Sequence, residues 1–304
     1  MISASPLVDW LLARLDMDAS LFHVGRYCGG WHASTEGMGR ASFHLVVQGS
    51  CWLHVDGHPD AICLESGDAV FLLRDLGYRL SSAQDPLDAC AQPRRPMEPL
   101  EATASDGVGL VCGFFDFHCG LSSLIVEGLG DWIILRAGDP AVSAARALFE
   151  LILEECRRSP APSQNMLERL THLLFLYVLR QHVGEQPDLR GLIALARHAA
   201  FAPLLERLIE QPDQPWTLES MAACTGVSRS AFFKRFNETA GLSPGQVLLA
   251  VRMRHACQLL RAGTTVERAG AAAGYQSVAA FTRAFAKAVG VQPGAYRKAM
   301  APHA

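Results

Sequence analysis

Residues 216–298 carry one pattern twice, and this internal repeat constrains the fold more than any other feature of the chain. Aligning residues 228–236 with residues 277–285 superimposes two pairs of phenylalanines, Phe232 with Phe281 and Phe236 with Phe285. Phenylalanines one helical turn apart face the same side of a helix and favour burial there. The repeated spacing therefore predicts two copies of one helical unit.

Each copy is typical of a helix-turn-helix unit. In the first copy a short apolar helix ends at Gly226, which tolerates a sharp turn, and Ser228 caps the next helix. In the second copy the short helix is Val266–Ala273, and Ser277 follows the turn as the cap. A long helix predicted at about residues 244–261 joins the units, so that two reading helices reach successive major grooves roughly 34 Å apart. The side chains expected to point outward from those helices are Ser230, Phe233, Lys234, Val278, Ala279, Thr282 and Arg283.

Two segments of this region closely resemble the signature of the AraC/XylS family of bacterial transcription regulators. They are residues 281–285, Phe-Thr-Arg-Ala-Phe, and residues 290–297, Gly-Val-Gln-Pro-Gly-Ala-Tyr-Arg. The resemblance implies that the outward residues read base edges, since Arg and Lys suit guanine and methyl-bearing side chains suit thymine. It also implies double-stranded DNA and RNA polymerase as partners. The candidates for phosphate contacts are Trp216, Arg229, Arg252 and Arg254.

One position departs from the family pattern. The family usually carries a large aliphatic residue and then alanine in the first helix of the second unit, where this chain has Ala269 and Gly270. Glycine inside a helix costs about 1 kcal/mol relative to alanine. We therefore expect the second unit to be looser than the first and to contribute less to DNA affinity.

The charge distribution separates the two ends of the chain. From Pro212 onward there are eleven Lys and Arg residues against four Asp and Glu, whereas residues 1–211 carry 16 against 26. Only the C-terminal part has the positive charge that a phosphate-binding surface needs. The chain has 304 residues, of which half are hydrophobic, and this is long enough for two globular domains.

Targeting signals and cysteine usage favour the cytoplasm. The residues after Met1 do not form a secretory signal, and no apolar run reaches the roughly 20 residues that span a bilayer. Nine cysteines without such a signal indicate reduced thiols rather than a disulfide framework. We expect a cytoplasmic protein with no membrane partner.

The first two thirds of the sequence predict a different architecture. A short amphipathic helix is expected over Pro6–Leu15, followed to about Leu135 by short β-rich segments and turn residues. The segments are Phe43–Val47, Cys51–Val55, Ala61–Leu64, Ala69–Leu73 and Gly109–Phe117. Strands at such spacing favour a small barrel or jelly roll. The prediction is an α+β chain of two domains, a β-barrel sensor with flanking helices over residues 1–200 and an all-α domain over residues 201–304.

Residues 43–53 and 64–72 resemble a cupin domain, of the variety that precedes AraC-type DNA-binding domains. Metal-binding cupins usually offer several histidines and a glutamate. Here only His44 is present, Gln48 stands near the expected glutamate, and Tyr78 stands where the second motif would offer a histidine. We therefore expect neither a cofactor nor enzyme activity, and a metal-dependent cupin enzyme is the least favoured alternative.

Three barrel residues carry candidate sensing chemistry, namely Cys28, His44 and Cys112. Their motifs resemble those of reactive-chlorine-responsive activators in the family, which implies that Cys28 is an oxidant-sensitive thiol with Cys112 as its partner. A protonated His44 nearby would favour the thiolate that oxidants attack. Two alternatives stay open: the three side chains hold zinc, or the thiols are inert core residues.

The other cysteines divide into two groups. Core positions are predicted for Cys51, Cys63, Cys156, Cys224 and Cys257. Cys90 and Cys119 are interpreted either as surface residues or as resolving thiols.

Amphipathic helices predicted over residues 140–157 and 166–183 either form a homodimer contact or pack against the barrel. Together the patterns indicate a sequence-specific transcription activator whose barrel responds to oxidation. The alternative is a regulator of the same class whose barrel binds a small-molecule effector.

Overall fold

A computed structural model describes residues 6–85, 87–88, 97–100, 107–118, 120–139, 143–158 and 162–300. Its contacts form two units. The strand unit comprises Met17–Asp116 and Gly130–Glu185, and the helical unit comprises Met1–Asp16, Phe117–Leu129 and Gln186–Ala304. The division into folding domains at residue 200 stays a prediction, while the contacts place Met1–Asp16, Phe117–Leu129 and residues 186–200 in the helical unit as well.

Among its described residues, the strand unit contains two sheets and the two long helices Ser143–Cys156 and Gln164–Glu185. The strands are β1 (Met17–Tyr27), β2 (His32–Ala33), β3 (Ala41–Gln48), β4 (Ser50–Val55), β5 (Ile62–Glu65), β6 (Ala69–Leu72), β7 (Tyr78–Ser81), β8 (Val108–Phe117) and β9 (Trp132–Leu135). Their order is β1-β8-β3-β6-β9 in one sheet and β2-β7-β4-β5 in the other. Each β-rich segment predicted from the sequence lies on one of these strands.

Both units contain helices. They are α1 (Pro6–Leu12), α2 (Leu121–Glu127), α3 (Ser143–Cys156), α4 (Gln164–Glu185), α5 (Gly191–Arg197), α6 (Ala202–Glu210), α7 (Leu218–Thr225), α8 (Arg229–Ala240), α9 (Pro244–Arg261), α10 (Val266–Ala272), α11 (Val278–Val289) and α12 (Pro293–Ala299). The long linker helix was predicted at both of its bounds. By contrast, α2 lies where the sequence pattern had indicated strands.

Successive side chains of a strand point to opposite faces of its sheet, and the strand unit therefore has two cores. One set of side chains faces the space between the sheets, with Val46, Val70 and Leu110 from one sheet and Leu53, Leu64 and Leu80 from the other. The opposite face of the five-stranded sheet carries aromatic rings that helix α4 covers. Phe175 of α4 lies 4.7 Å from Phe115 and 5.4 Å from Phe71, measured between ring centroids.

Candidate nucleic-acid interface and sensor barrel

Helix α8 is positioned by its cap and by two buried rings. Gly226 ends helix α7 in the left-handed conformation with φ 68°, and the Ser228 hydroxyl accepts from the backbone N–H of Ala231. Phe232 and Phe236 are buried, which turns the opposite face outward. That face presents Ser230, Phe233 and Lys234, all exposed, as the spacing predicts.

Helix α11 repeats this arrangement in the second unit. The Ser277 hydroxyl accepts from the backbone N–H of Ala280, and the rings of Phe281 and Phe285 lie buried 5.5 Å apart. Three of the predicted reading residues are exposed and Thr282 is half-buried. The exposed ones are Val278, Ala279 and Arg283.

Gly270 has a packing function that the sequence did not reveal. A Cβ atom at this position would lie 2.9 Å from Cδ1 of Phe281, closer than side chains normally approach. Glycine thus lets α10 lie directly against the ring that anchors the reading helix. The close contact argues against the expected looseness of the second unit.

The four predicted phosphate contacts have different surroundings. Arg229 forms an exposed ion pair with Glu219 at 2.8 Å. The Trp216 indole N–H donates to the backbone oxygen of Gln211, and Arg254 lies over the ring of Trp10. None of these contacts tests whether the residues touch phosphate, which stays a prediction.

Arg252 connects the two helix-turn-helix units. Its guanidinium donates to the backbone oxygens of Pro212 and Gln214 at 2.8 and 2.9 Å, ahead of the first unit. It also lies over the ring of Tyr275 in the turn of the second unit. Burial lowers the pKa of Arg252 from its ordinary value. These contacts give Arg252 a structural function in addition to the predicted phosphate contact.

Residues far upstream hold the linker helix α9, and no sequence signal indicated them. The Asp16 carboxylate pairs with Arg261, while the Asp16 backbone N–H donates to the Ser122 hydroxyl at 2.9 Å. The ring of Trp10 receives Arg254 and the neighbouring Arg14 on its faces. Segments that precede β1 and follow β8 therefore pack on the helix that separates the two reading units.

In the strand unit, a hydrogen-bonded chain crosses the space between the sheets. His44 Nε2 lies 2.6 Å from the Tyr78 hydroxyl, which lies 2.9 Å from the Thr35 hydroxyl. Thr35 in turn donates to the Ser42 hydroxyl at 2.9 Å. His44 Nδ1 is buried without a hydrogen-bond partner in the structure. Burial, and to a lesser extent His23, lowers the pKa of His44 to about 3.

From the sequence we expect a protonated His44 to favour a thiolate at a nearby cysteine, but the surroundings of His44 contradict this expectation. A neutral His44 cannot supply the positive charge that would favour a thiolate. Cys112 is its partner across the β3–β8 ladder, and burial raises the pKa of Cys112. Cys28 follows β1 and is 2% exposed; a Cβ atom added at Gly107 would lie 2.9 Å from its sulfur.

The sequence left open a zinc site formed by the same three residues. Across the described ranges, no three His, Cys, Asp or Glu side chains are arranged to hold a metal ion. The proposed zinc set of Cys28, His44 and Cys112 therefore lacks the required geometry. His44 Nε2 is also engaged by the Tyr78 hydroxyl, so the residues do not fit a cupin metal site.

The remaining cysteines follow the prediction only in part. Cys51, Cys156 and Cys257 are buried. Cys63 and Cys224 are only partly buried, so the prediction of a core position is wrong for both. Cys63 lies on β5, an edge strand, where alternate side chains leave the core. Cys90 and Cys119 lie outside the described residues.

The comparisons with known proteins cover both ends of the chain. Residues 7–184 match the family described as Cupin, and residues 221–299 match the family described as Helix-turn-helix domain. A putative AraC-like transcription regulator of Streptomyces antibioticus is 31% identical over 301 residues, which are 96% of this chain and 98% of the relative. The chain belongs to the AraC-like transcription regulators.

Two further matches span most of this AraC-like regulator. The RCS-specific HTH-type transcriptional activator RclR of Escherichia coli is 27% identical over 259 residues, 84% of each chain. The crystal structure of ToxT from Vibrio cholerae covers 96% of this chain and 100% of its own, with 10% identity and a TM-score of 0.40.

The family assignment agrees with the predicted α+β architecture of cupin and helix-turn-helix domains. The relatives are named as transcription regulators, in agreement with the prediction that this AraC-like regulator is not an enzyme. Within the described ranges, each helix is too short or too polar to cross a membrane.

Proposed function

We propose that this regulator recognises a specific operator through helices α8 and α11 and activates transcription when its barrel receives a signal. The supporting observation is the matched pair of reading helices, each capped by serine and each anchored by two buried phenylalanines. Lys234 and Arg283 occupy equivalent exposed positions six residues beyond the caps. Basic side chains at such positions suit guanine in the major groove.

Gel shifts with Lys234→Ala and Arg283→Ala test this assignment. Each variant should bind the operator about 5- to 150-fold more weakly and lose base preference at one position, as expected for about 1–3 kcal/mol per base contact. Arg235→Ala is the matched control, because this exposed cation follows Lys234 on α8 but faces another direction. Its affinity should change equally for operator and non-specific DNA. Unchanged affinity and base preference in both test variants would remove the assignment.

For the signal, a small-molecule effector bound in the barrel has direct support. His44 Nδ1 and His23 Nε2 are buried without hydrogen-bond partners in the structure. Buried polar atoms are normally satisfied, so these two nitrogens offer hydrogen bonds to a ligand. Thermal shift measurements against a metabolite collection should find a compound that raises the unfolding temperature, and His44→Gln should reduce that rise.

Oxidation of Cys28 is the second candidate signal. A relative is named RCS-specific, and Cys28 lies so close to Gly107 that added oxygen atoms would displace this neighbour. Cys28→Ser should then abolish the response of a target promoter to oxidant, while Cys257→Ser, a buried control in the helical unit, leaves it intact. A full oxidant response of the Cys28 variant would leave the effector as the signal.

We also propose a homodimer in the cytoplasm that contacts RNA polymerase at the promoter. Leu151 of α3 and Leu173 and Tyr177 of α4 are 46–49% exposed. They lie on the two helices that the sequence predicts either to form a dimer contact or to pack against the barrel. Leu173→Glu should shift the sedimentation of a dimer toward that of a monomer. Met38→Glu, at an exposed methionine in a turn of the strand unit, serves as the control.

A further inference from the structure

The two reading helices present different chemistry at equivalent positions. The internal repeat pairs Arg229 with Val278, Ser230 with Ala279, Phe233 with Thr282 and Lys234 with Arg283. Helix α8 thus offers two cations and a hydroxyl besides one aromatic ring. Helix α11 offers two purely hydrocarbon side chains, a threonine and one cation.

The hydrocarbon side chains of α11 are not part of its core. Val278 is 46% exposed and Ala279 is exposed, whereas Phe281 and Phe285 are fully buried. Ala279, Thr282 and Arg283 are spaced by three and four residues, so they share one face of the helix. Val278 lies beside them in the first turn, the part of a reading helix that approaches base edges.

An exposed valine at this place suits one feature of the major groove. The C5 methyl group of thymine is the apolar mark that distinguishes thymine from the other bases there, and small apolar side chains contact it. Val278 and Ala279 have no donor or acceptor for the other bases. Arg283 beside them is the one charged group among the four and suits a guanine.

We propose that helix α11 selects thymine through methyl contacts of Val278 and Ala279, while Arg283 fixes the register on one guanine. This inference rests on the proposed function, since it requires α11 to lie in the major groove. Under this proposal the two helix-turn-helix units recognise different features of the bases. The half-site facing α8 is read by polar and aromatic side chains, and the half-site facing α11 is read at thymine methyl groups and at one guanine.

Deoxyuridine provides the test, because it keeps the hydrogen-bonding pattern of thymine and lacks only the methyl group. The full-length protein first selects its operator from random DNA, and selection with Arg283→Ala identifies the half-site that faces α11. Each thymine of that half-site is then replaced by deoxyuridine. At a contacted position the affinity should fall about fourfold, the equivalent of about 0.8 kcal/mol for one buried methyl-sized group.

Val278→Ser and Ala279→Ser complete a double-mutant cycle. Both side chains are exposed, and thermal unfolding verifies that the variants keep the fold. One of the variants should bind thymine and deoxyuridine operators equally, whereas Ser230→Ala on α8 should retain the fourfold difference.

The outcomes separate the two proposals. If selection enriches no sequence, the proposed function fails. If a sequence is enriched but its α11 half-site has no thymine, or if deoxyuridine changes the affinity of neither the native protein nor the variants, the thymine reading is overturned and the proposed function stands. Loss of the deoxyuridine effect in a serine variant supports it.

Discussion

His44 Nε2 and the Tyr78 hydroxyl lie 2.6 Å apart and join the two sheets of the strand unit, since β3 belongs to one sheet and β7 to the other. In metal-binding cupins this region supplies histidines to a metal ion. Tyr78 stands where the second cupin motif would offer a histidine, and the chain of hydroxyls behind it ends at Ser42. The side chains of His44, Tyr78, Thr35 and Ser42 therefore hydrogen-bond to one another between the two sheets.

Tyr78→Phe should destabilise the protein by about 1–3 kcal/mol, because the change leaves the buried His44 Nε2 without its partner. Urea unfolding followed by tryptophan fluorescence measures the change. Tyr275→Phe is the control, since that tyrosine is only partly buried and phenylalanine keeps the ring on which Arg252 lies. It should alter stability by no more than about 0.5 kcal/mol. Equal effects of the two substitutions would contradict the structural importance of the hydrogen bond.

Stability should fall as the pH decreases below 6.5, and His44 should carry part of this loss. The pKa of His44 is lowered to about 3 by burial, whereas the unfolded value is 6.5. Between these values the unfolded chain binds a proton that the folded chain excludes, so acid favours unfolding. The free energy of unfolding then changes by up to about 1.4 kcal/mol per pH unit for one such group. The stabilisation from the neutral imidazole is fully present above pH 6.5 and is lost as the pH falls.

The measurement is the free energy of unfolding between pH 7 and about pH 5, for the native protein and His44→Gln. The variant lacks the titrating imidazole and should show a smaller slope. Burial also lowers the pKa of His23, His182 and His255, so some slope will remain. Identical slopes for the two proteins would show that His44 does not titrate in this way.

Features that act within a few residues could be predicted from the sequence, whereas contacts between distant segments could not. Caps, turn glycines and the phenylalanine spacing are local, and for that reason the sequence predicted α8, α9 and α11 together with the outward residues of α8 and α11. The partner of His44 is 34 residues away, and only the arrangement of the sheets brings Tyr78 to it. Trp10 and Arg254 meet across an even longer separation, without any periodic signal.

Native-state alkylation should label Cys63 and Cys224 before Cys51 and Cys112. Reaction requires both access and a thiolate. The first two cysteines are partly exposed, although burial raises the pKa of Cys63 as well. Cys51 and Cys112 are buried, and burial raises the pKa of Cys51 to about 12 and also raises that of Cys112. Mass spectrometry after brief treatment with iodoacetamide gives the order, and labelling in denaturant gives the reference rates. Early labelling of Cys112 would restore it as a direct target of oxidants.

Gly270→Ala should destabilise the second helix-turn-helix unit although alanine is the better helix former. The substitution gains up to about 1 kcal/mol of helix propensity. It also places a Cβ atom 2.9 Å from the buried ring of Phe281, and overpacking of this kind costs about 1–3 kcal/mol. The expected result is a net loss of up to about 2 kcal/mol in urea unfolding, accompanied by weaker operator binding because Phe281 anchors α11.

Gly245→Ala is the matched control for this prediction. Gly245 lies in the first turn of α9, and a Cβ atom added there meets no atom within 4 Å. Only the propensity term acts at that position, so stability should stay the same or rise by up to about 1 kcal/mol. If Gly270→Ala were stabilising to the same extent, the glycine would be a weakness of the helix, as its sequence alone indicates. A loss at Gly270 with no loss at Gly245 would instead identify the close approach of α10 to Phe281 as the reason that glycine stands there.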